Sequence, residues 1–140
     1  MKKKLITLIK KIDHGDVISS RNFNNIDLDE ALDKRDDDPF DSDWVLANSQ
    51  MESKFQLQKF DQDVLDLIDV IREKTFKTTS QSIGGGEVSE YVCDDFELIS
   101  KSILISSSDP WVASLLKAYL DGEFPVGSLR LQKIPVFDLI

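Results

Sequence analysis

Apolar side chains recur at intervals of three and four residues along most of this chain, and that spacing constrains the fold more than any other feature. An α-helix turns about every 3.6 residues, so such a recurrence places the apolar groups on one face. The pattern is clearest from Asp61 to Thr78, where Val64, Leu67, Ile68 and Ile71 form a stripe while Asp66, Asp69 and Glu73 take the other faces. Beyond Gly84-Gly85-Gly86, Val88, Val92, Phe96, Ile99 and Ile103 step along a second helix, with Tyr91 and Leu98 widening its buried face. Near the start, Leu5, Leu8, Ile9 and Ile12 predict an amphipathic helix over residues 3 to 13, stopped at Gly15 and turned toward a core rather than a membrane surface.

The remaining segments are punctuated by turn chemistry. Residues 15 to 26 lack a sustained period and read as loop with one short extended piece. Ile26, Leu28, Ala31 and Leu32 suit a short helix, broken at Asp36-Asp37-Asp38-Pro39 by charge crowding and by the limits proline sets on the residue before it. Asp41-Ser42-Asp43 offers N-cap chemistry and an acidic start for a helix from about Ser42 to Lys59, carrying Trp44, Val45, Ala47, Met51 and Phe55. Its end, Phe55-Gln56-Leu57-Gln58, alternates like a strand. Ser80 to Gly86 reads as a linker.

After Ser106-Ser107-Ser108, Asp109 suits an N-cap and Pro110 the first helical position, where a missing N–H does no harm. Trp111, Val112, Leu115, Leu116, Tyr119 and Leu120 then line an apolar face that ends near Gly122. The tail from Leu129 alternates weakly and contains Pro135, so it either adds an extended edge or packs across the helices. No internal repeat or dividing linker interrupts the 140 residues. The expectation is an all-α chain forming a single compact helical domain over residues 1–140, with room for a short extended C-terminal segment.

A chain of this length buries about two-thirds of the surface its unfolded form exposes, enough for a core without disulfides or structural metal. Cys93 is the only cysteine, so no internal disulfide forms. The opening Lys-rich run loses its apolar character at Lys10 and Lys11, too early for an export signal, and is expected to be mature sequence. Cytoplasm is the simplest location, and no apolar stretch has the length to span a bilayer.

Charge is spread unevenly. Residues 1 to 26 carry six basic and two acidic side chains, whereas residues 27 to 43 carry nine acidic and two basic, a local net charge of -7 in a chain of net -9. A surface this negative repels phosphate backbones, which argues against direct nucleic-acid binding. It would steer a basic protein inward.

Each residue that could serve as part of an enzyme has a plainer reading. His14, the only histidine, sits beside Gly15 as a solvated helix end. Cys93 lies within an apolar-periodic helix, where a packed thiol is favoured over a reactive one. The triple glycine lacks the Gly-Lys-Ser/Thr of a phosphate loop, and Glu87 follows it. An EF-hand started at Asp36 would put Phe40, Asp41 and Ala47 where a ligand, a glycine and a bidentate acid belong. No catalytic, cofactor-binding or metal-binding residues are assigned. Trp44 and Trp111 suit core packing better than exposed interface anchoring.

The stretch Gly84-Gly85-Gly86-Glu87-Val88-Ser89-Glu90-Tyr91-Val92-Cys93-Asp94-Asp95-Phe96-Glu97-Leu98-Ile99, with Asp109-Pro110-Trp111 through Asp121-Gly122-Glu123-Phe124-Pro125, resembles small bacterial immunity proteins of contact-dependent inhibition and polymorphic-toxin systems. The resemblance implies a cytoplasmic, non-enzymatic protein that binds a cognate toxin, often a nuclease, and blocks its active site or substrate access. The residues themselves offer a contact surface for a basic partner: Asp36, Asp37, Asp38, Asp41 and Asp43 first, Asp94, Asp95 and Glu97 second. A solvated acidic loop and a solvated helix face are the plainer readings of these two groups. An acidic regulatory or scaffold protein with a non-toxin partner is the alternative function, and an acid-cluster hydrolase or metal-dependent enzyme a third.

Overall fold

A computed structural model describes residues 1–140, and its regular structure is helical throughout. The helices are α1 (Lys2–Asp13), α2 (Leu28–Asp36), α3 (Phe40–Phe55), α4 (Gln62–Ile83), α5 (Glu87–Leu104) and α6 (Pro110–Leu120). One contiguous core runs through them, and no helix is long and apolar enough to cross a membrane.

Helix α5 is the central element. Val88, Val92, Phe96, Leu98, Ile99 and Ile103 are all buried, so the helix is covered on more than one side. It pairs antiparallel with α4 through a connection of three glycines. Arg72 reaches Glu97 at 2.9 Å near the middle of the pair, and the hydroxyls of Ser80 and Ser89 meet at 2.8 Å near its turn. Gly84 takes the left-handed conformation (φ 85°) that ends α4, and Gly86 stands at φ 100°, ψ -163°, a region nearly closed to residues with a Cβ. Helix α1 lies along α4 in the same direction, with Lys2 paired to Asp63 at one end and Lys74 to Asp13 (2.7 Å) at the other. Its expected stripe faces inward: Leu5, Leu8 and Ile12 are buried.

Several boundaries differ from expectation, each for a local reason. Helix α4 runs five residues past Thr78 because its hydroxyl-rich end bonds back along the helix. Thr75, Thr79 and Ser82 donate to the carbonyls of Ile71, Thr75 and Thr78 at 2.8 to 2.9 Å, so a linker-like composition remains helical. Only the glycines form the connection. Helix α3 begins at Phe40, ahead of the expected Ser42, and its N-cap position is Pro39. Burial of Phe40 edge-on against Trp111, centroids 5.4 Å apart, draws the first turn in early. Asp41 and Asp43 therefore lie inside that turn, where they still complement the helix dipole. The helix ends at Phe55, which stacks on Phe60, so the Gln-rich segment turns and forms no strand.

The loop at residues 15 to 26 holds a 3-10 turn, Ser20–Phe23, in place of an extended piece. Buried Asn22 donates to the carbonyls of Tyr119 and Glu123 at 3.0 and 2.8 Å, and Arg21 donates to that of Leu120 at 2.9 Å, satisfying the C-terminal end of α6. At the other end of α6, Asp109 caps Trp111 N–H at 2.9 Å with Pro110 following, as the sequence predicts. The tail forms no strand. It packs across the helices, with Val136 fully buried in a short 3-10 turn, Val136–Asp138.

Candidate functional site: the acidic corner of α2, α3 and α5

Where α2 turns into α3, the chain lies against the first half of α5. A buried carboxylate holds this corner together. Asp95, 1% exposed, accepts from Arg35 Nη2 with both oxygens (2.8 and 2.7 Å), from Trp44 Nε1 (2.9 Å) and from the Tyr119 hydroxyl (2.6 Å). Each oxygen thus receives two donors, and α2, α3, α5 and α6 are fixed to a single point. Burial alone would lower the Arg35 pKa, but Asp95 beside it raises it overall. Burial, then the neighbouring Asp95 charge, pushes the Tyr119 phenol well above its ordinary value, so the hydroxyl stays protonated and keeps donating.

The Arg35 guanidinium is also enclosed by rings, 4.4 Å from the Phe40 centroid, 4.9 Å from that of Phe124 and 5.4 Å from that of Tyr91. Above this group lies an open hollow of about 200 Å³, walled by Phe40, Trp44 and Tyr91 and edged by Asp36, Asp41 and Asp94. Asp36, at the end of α2, accepts from the Tyr91 hydroxyl at 3.1 Å. Burial, then this bond, raises the Tyr91 pKa.

The first and second acidic groups therefore meet, in part, at one place. Asp36, Asp41 and Asp94 ring the same hollow although 58 residues separate the first from the last. Asp37 and Asp38 are exposed on the adjoining turn, where Asp38 accepts from Ser42 Oγ. Asp43 is on the opposite flank of α3. Asp94 and Glu97 share Arg72, at 3.3 and 2.9 Å, and Glu97 also lies 3.6 Å from Lys101, so their charges are partly matched within the chain.

Asp95 is a correction. The sequence places its carboxylate on a contact surface, but it is 1% exposed and saturated by internal donors. Sequence pattern does not by itself assign its companion Arg35 to a site. Leu28, Ala31 and Arg35 follow helical spacing onto the inward face of α2, and a basic residue on that stripe, amid an acidic segment, was the available signal. Trp44 is half-buried and Trp111 buried, as core packing requires. His14 is exposed at the end of α1, and Cys93 is buried, its thiol pKa raised by burial against the opposing pull of Arg72. A packed, protonated thiol fits that position.

The corner presents carboxylates at a rim, aromatic walls and a buried ion pair at its base, and the fold is that of a small all-helical protein. The family model Immunity protein PIM1 matches residues 7–126, a span that takes in α2 through α6 and most of α1. The chain belongs to that immunity-protein family. Its role is accordingly that of neutralising a cognate toxin by binding it. Comparison with curated proteins gives no match.

Proposed function

We propose that this immunity protein neutralises a bacterial nuclease toxin by seating its acidic corner in the basic cleft that would otherwise hold nucleic acid. The observation that carries the reading is the convergence of Asp36, Asp41 and Asp94 on one hollow, with Asp37, Asp38 and Asp43 close by in sequence. Carboxylates spaced over a rigid surface compete with phosphates for the same Lys and Arg side chains, and a charged face speeds the encounter. The buried Asp95 network supplies the rigidity, holding the corner in its binding shape before the partner arrives. Glu97, already shared between Arg72 and Lys101, contributes to the surrounding field more than to contact.

The protein acts by binding and catalyses nothing. Its place of action is the bacterial cytoplasm, where a toxin delivered by contact-dependent inhibition or a related polymorphic-toxin system meets its substrate. The partner's contacting surface is basic, and the immunity protein itself binds neither nucleic acid nor membrane.

The test is a nuclease assay with the toxin domain that co-purifies with this protein from its native cells, produced recombinantly and titrated with the full-length immunity protein at several salt concentrations. Stoichiometric inhibition that weakens with salt supports the reading. A toxin domain without nuclease activity, or inhibition indifferent to salt and to Asp36→Asn/Asp41→Asn replacement, contradicts it.

A further inference from the structure

Helix α3 carries apolar residues on both sides. Ala47 and Met51 face the core, yet Val45 and Leu46 are 55% and 58% exposed, adjacent to each other and directly beside the acidic turn. Single exposed apolar residues are ordinary. These two, however, lead into separate hollows on either flank of the helix. Val45 borders the one ringed by Asp36 and Asp41. Leu46 borders a second, of about 380 Å³, shared with Trp111, Pro110 and Leu131, the last 62% exposed, and edged by Asp43 and Asp109.

The rims of both hollows carry carboxylates, Asp36, Asp41 and Asp94 at the first and Asp43 and Asp109 at the second, and call for cations.

We infer that the outward ridge of α3, Val45 and Leu46 with the hollow toward Leu131, is the apolar anchor of the toxin interface. Its occupant is a segment of the cognate toxin that lays an apolar side chain over the ridge between flanking Lys or Arg residues, which meet the carboxylates at the rims. This rests on the toxin-binding reading and assigns that interface a centre: the carboxylates govern approach, and the ridge governs release. Anchors of this kind dominate binding energy when surrounded by a polar rim.

The experiment measures association and dissociation rates of the same recombinant toxin domain with the full-length wild-type protein, Val45→Ala/Leu46→Ala, Leu46→Met and Asp36→Asn/Asp41→Asn. Both apolar sites are solvent-exposed, so melting temperatures should match the wild type and exclude misfolding. The inference expects the double alanine variant to weaken binding by roughly tenfold or more through faster dissociation, with its salt dependence intact and Leu46→Met close to wild type. The Asp variants should instead slow association and flatten the salt dependence. If the wild type binds and the double alanine variant stays within about twofold of it, the ridge is not the anchor. A wild-type dimer dissolved by the alanines would assign the ridge to a second copy and overturn the inference. Failure of the wild type to bind at all would remove the toxin-binding reading itself, and the inference with it.

Discussion

Arg35 and Asp95, 60 residues apart in sequence, meet at 2.7 Å with their side chains 3% and 1% exposed. A pair this deep is costly to desolvate, and its effect shows most clearly when one member is removed. Asp95→Ala leaves a guanidinium buried without its counter-charge and strips acceptors from Trp44 and Tyr119. The loss expected in urea unfolding is about 3–5 kcal/mol. Arg35→Met/Asp95→Ala, which removes both charges, should lose less than the sum of Arg35→Met and Asp95→Ala made singly. Additive losses would mean that the pair is not coupled.

Tyr119 gives this network a pH limit. Its pKa is raised in the fold by burial and by Asp95, so the folded chain holds the phenolic proton at pH values where the unfolded chain releases it. The resulting stabilisation is fully present below about pH 10 and is lost as pH rises above it, by about 1.4 kcal/mol per pH unit for one proton. Tyr91 is shifted in the same direction and adds to the slope. Unfolding measured from pH 8 to 11 should show Tyr119→Phe with the shallower alkaline decline, although it is less stable at neutral pH.

Much of this architecture was legible in the sequence because helix periodicity is local. The stripe from Val64 to Ile71 and the Asp109-Pro110 start define their helices without help from distant residues. The ends that misled were set by tertiary contact: Phe40 packing on Trp111 started α3 early, and hydroxyl back-bonding carried α4 to Ile83. The site was legible as charge and illegible as geometry. Asp94 and Asp95 are neighbours of identical composition, and only the fold turns one outward to Arg72 and the other inward to Arg35. Burial of a carboxylate depends on partners from three other helices, which no local pattern encodes.

The α4–α5 connection makes a backbone prediction independent of side-chain packing. An added Cβ at Gly84 or Gly86 meets open space, so any penalty comes from conformation alone. Gly86, at φ 100° and ψ -163°, tolerates almost nothing but glycine, and Gly86→Ala should cost about 1–3 kcal/mol. Gly84 is in the left-handed helical region, which asparagine also visits, so Gly84→Asn should cost less. Thermal melts of the two variants check the order.

Neutralising the outer carboxylates separates encounter from stability. Asp36→Asn/Asp41→Asn/Asp43→Asn removes three exposed or half-exposed charges and leaves Asp95 untouched. Surface charges of this kind contribute at most about 1 kcal/mol each to folding, so the melting temperature should move little. Association with the toxin domain at low salt should slow by roughly tenfold or more, and the difference should shrink as salt is raised.

The most direct measurement is protection. Cells producing that cognate toxin domain should stop growing, and co-production of the intact immunity protein should restore growth while the two proteins purify together as a complex. Restored growth with a stable complex is the predicted result. Continued arrest despite abundant, folded immunity protein, with no complex between the two, would contradict the account.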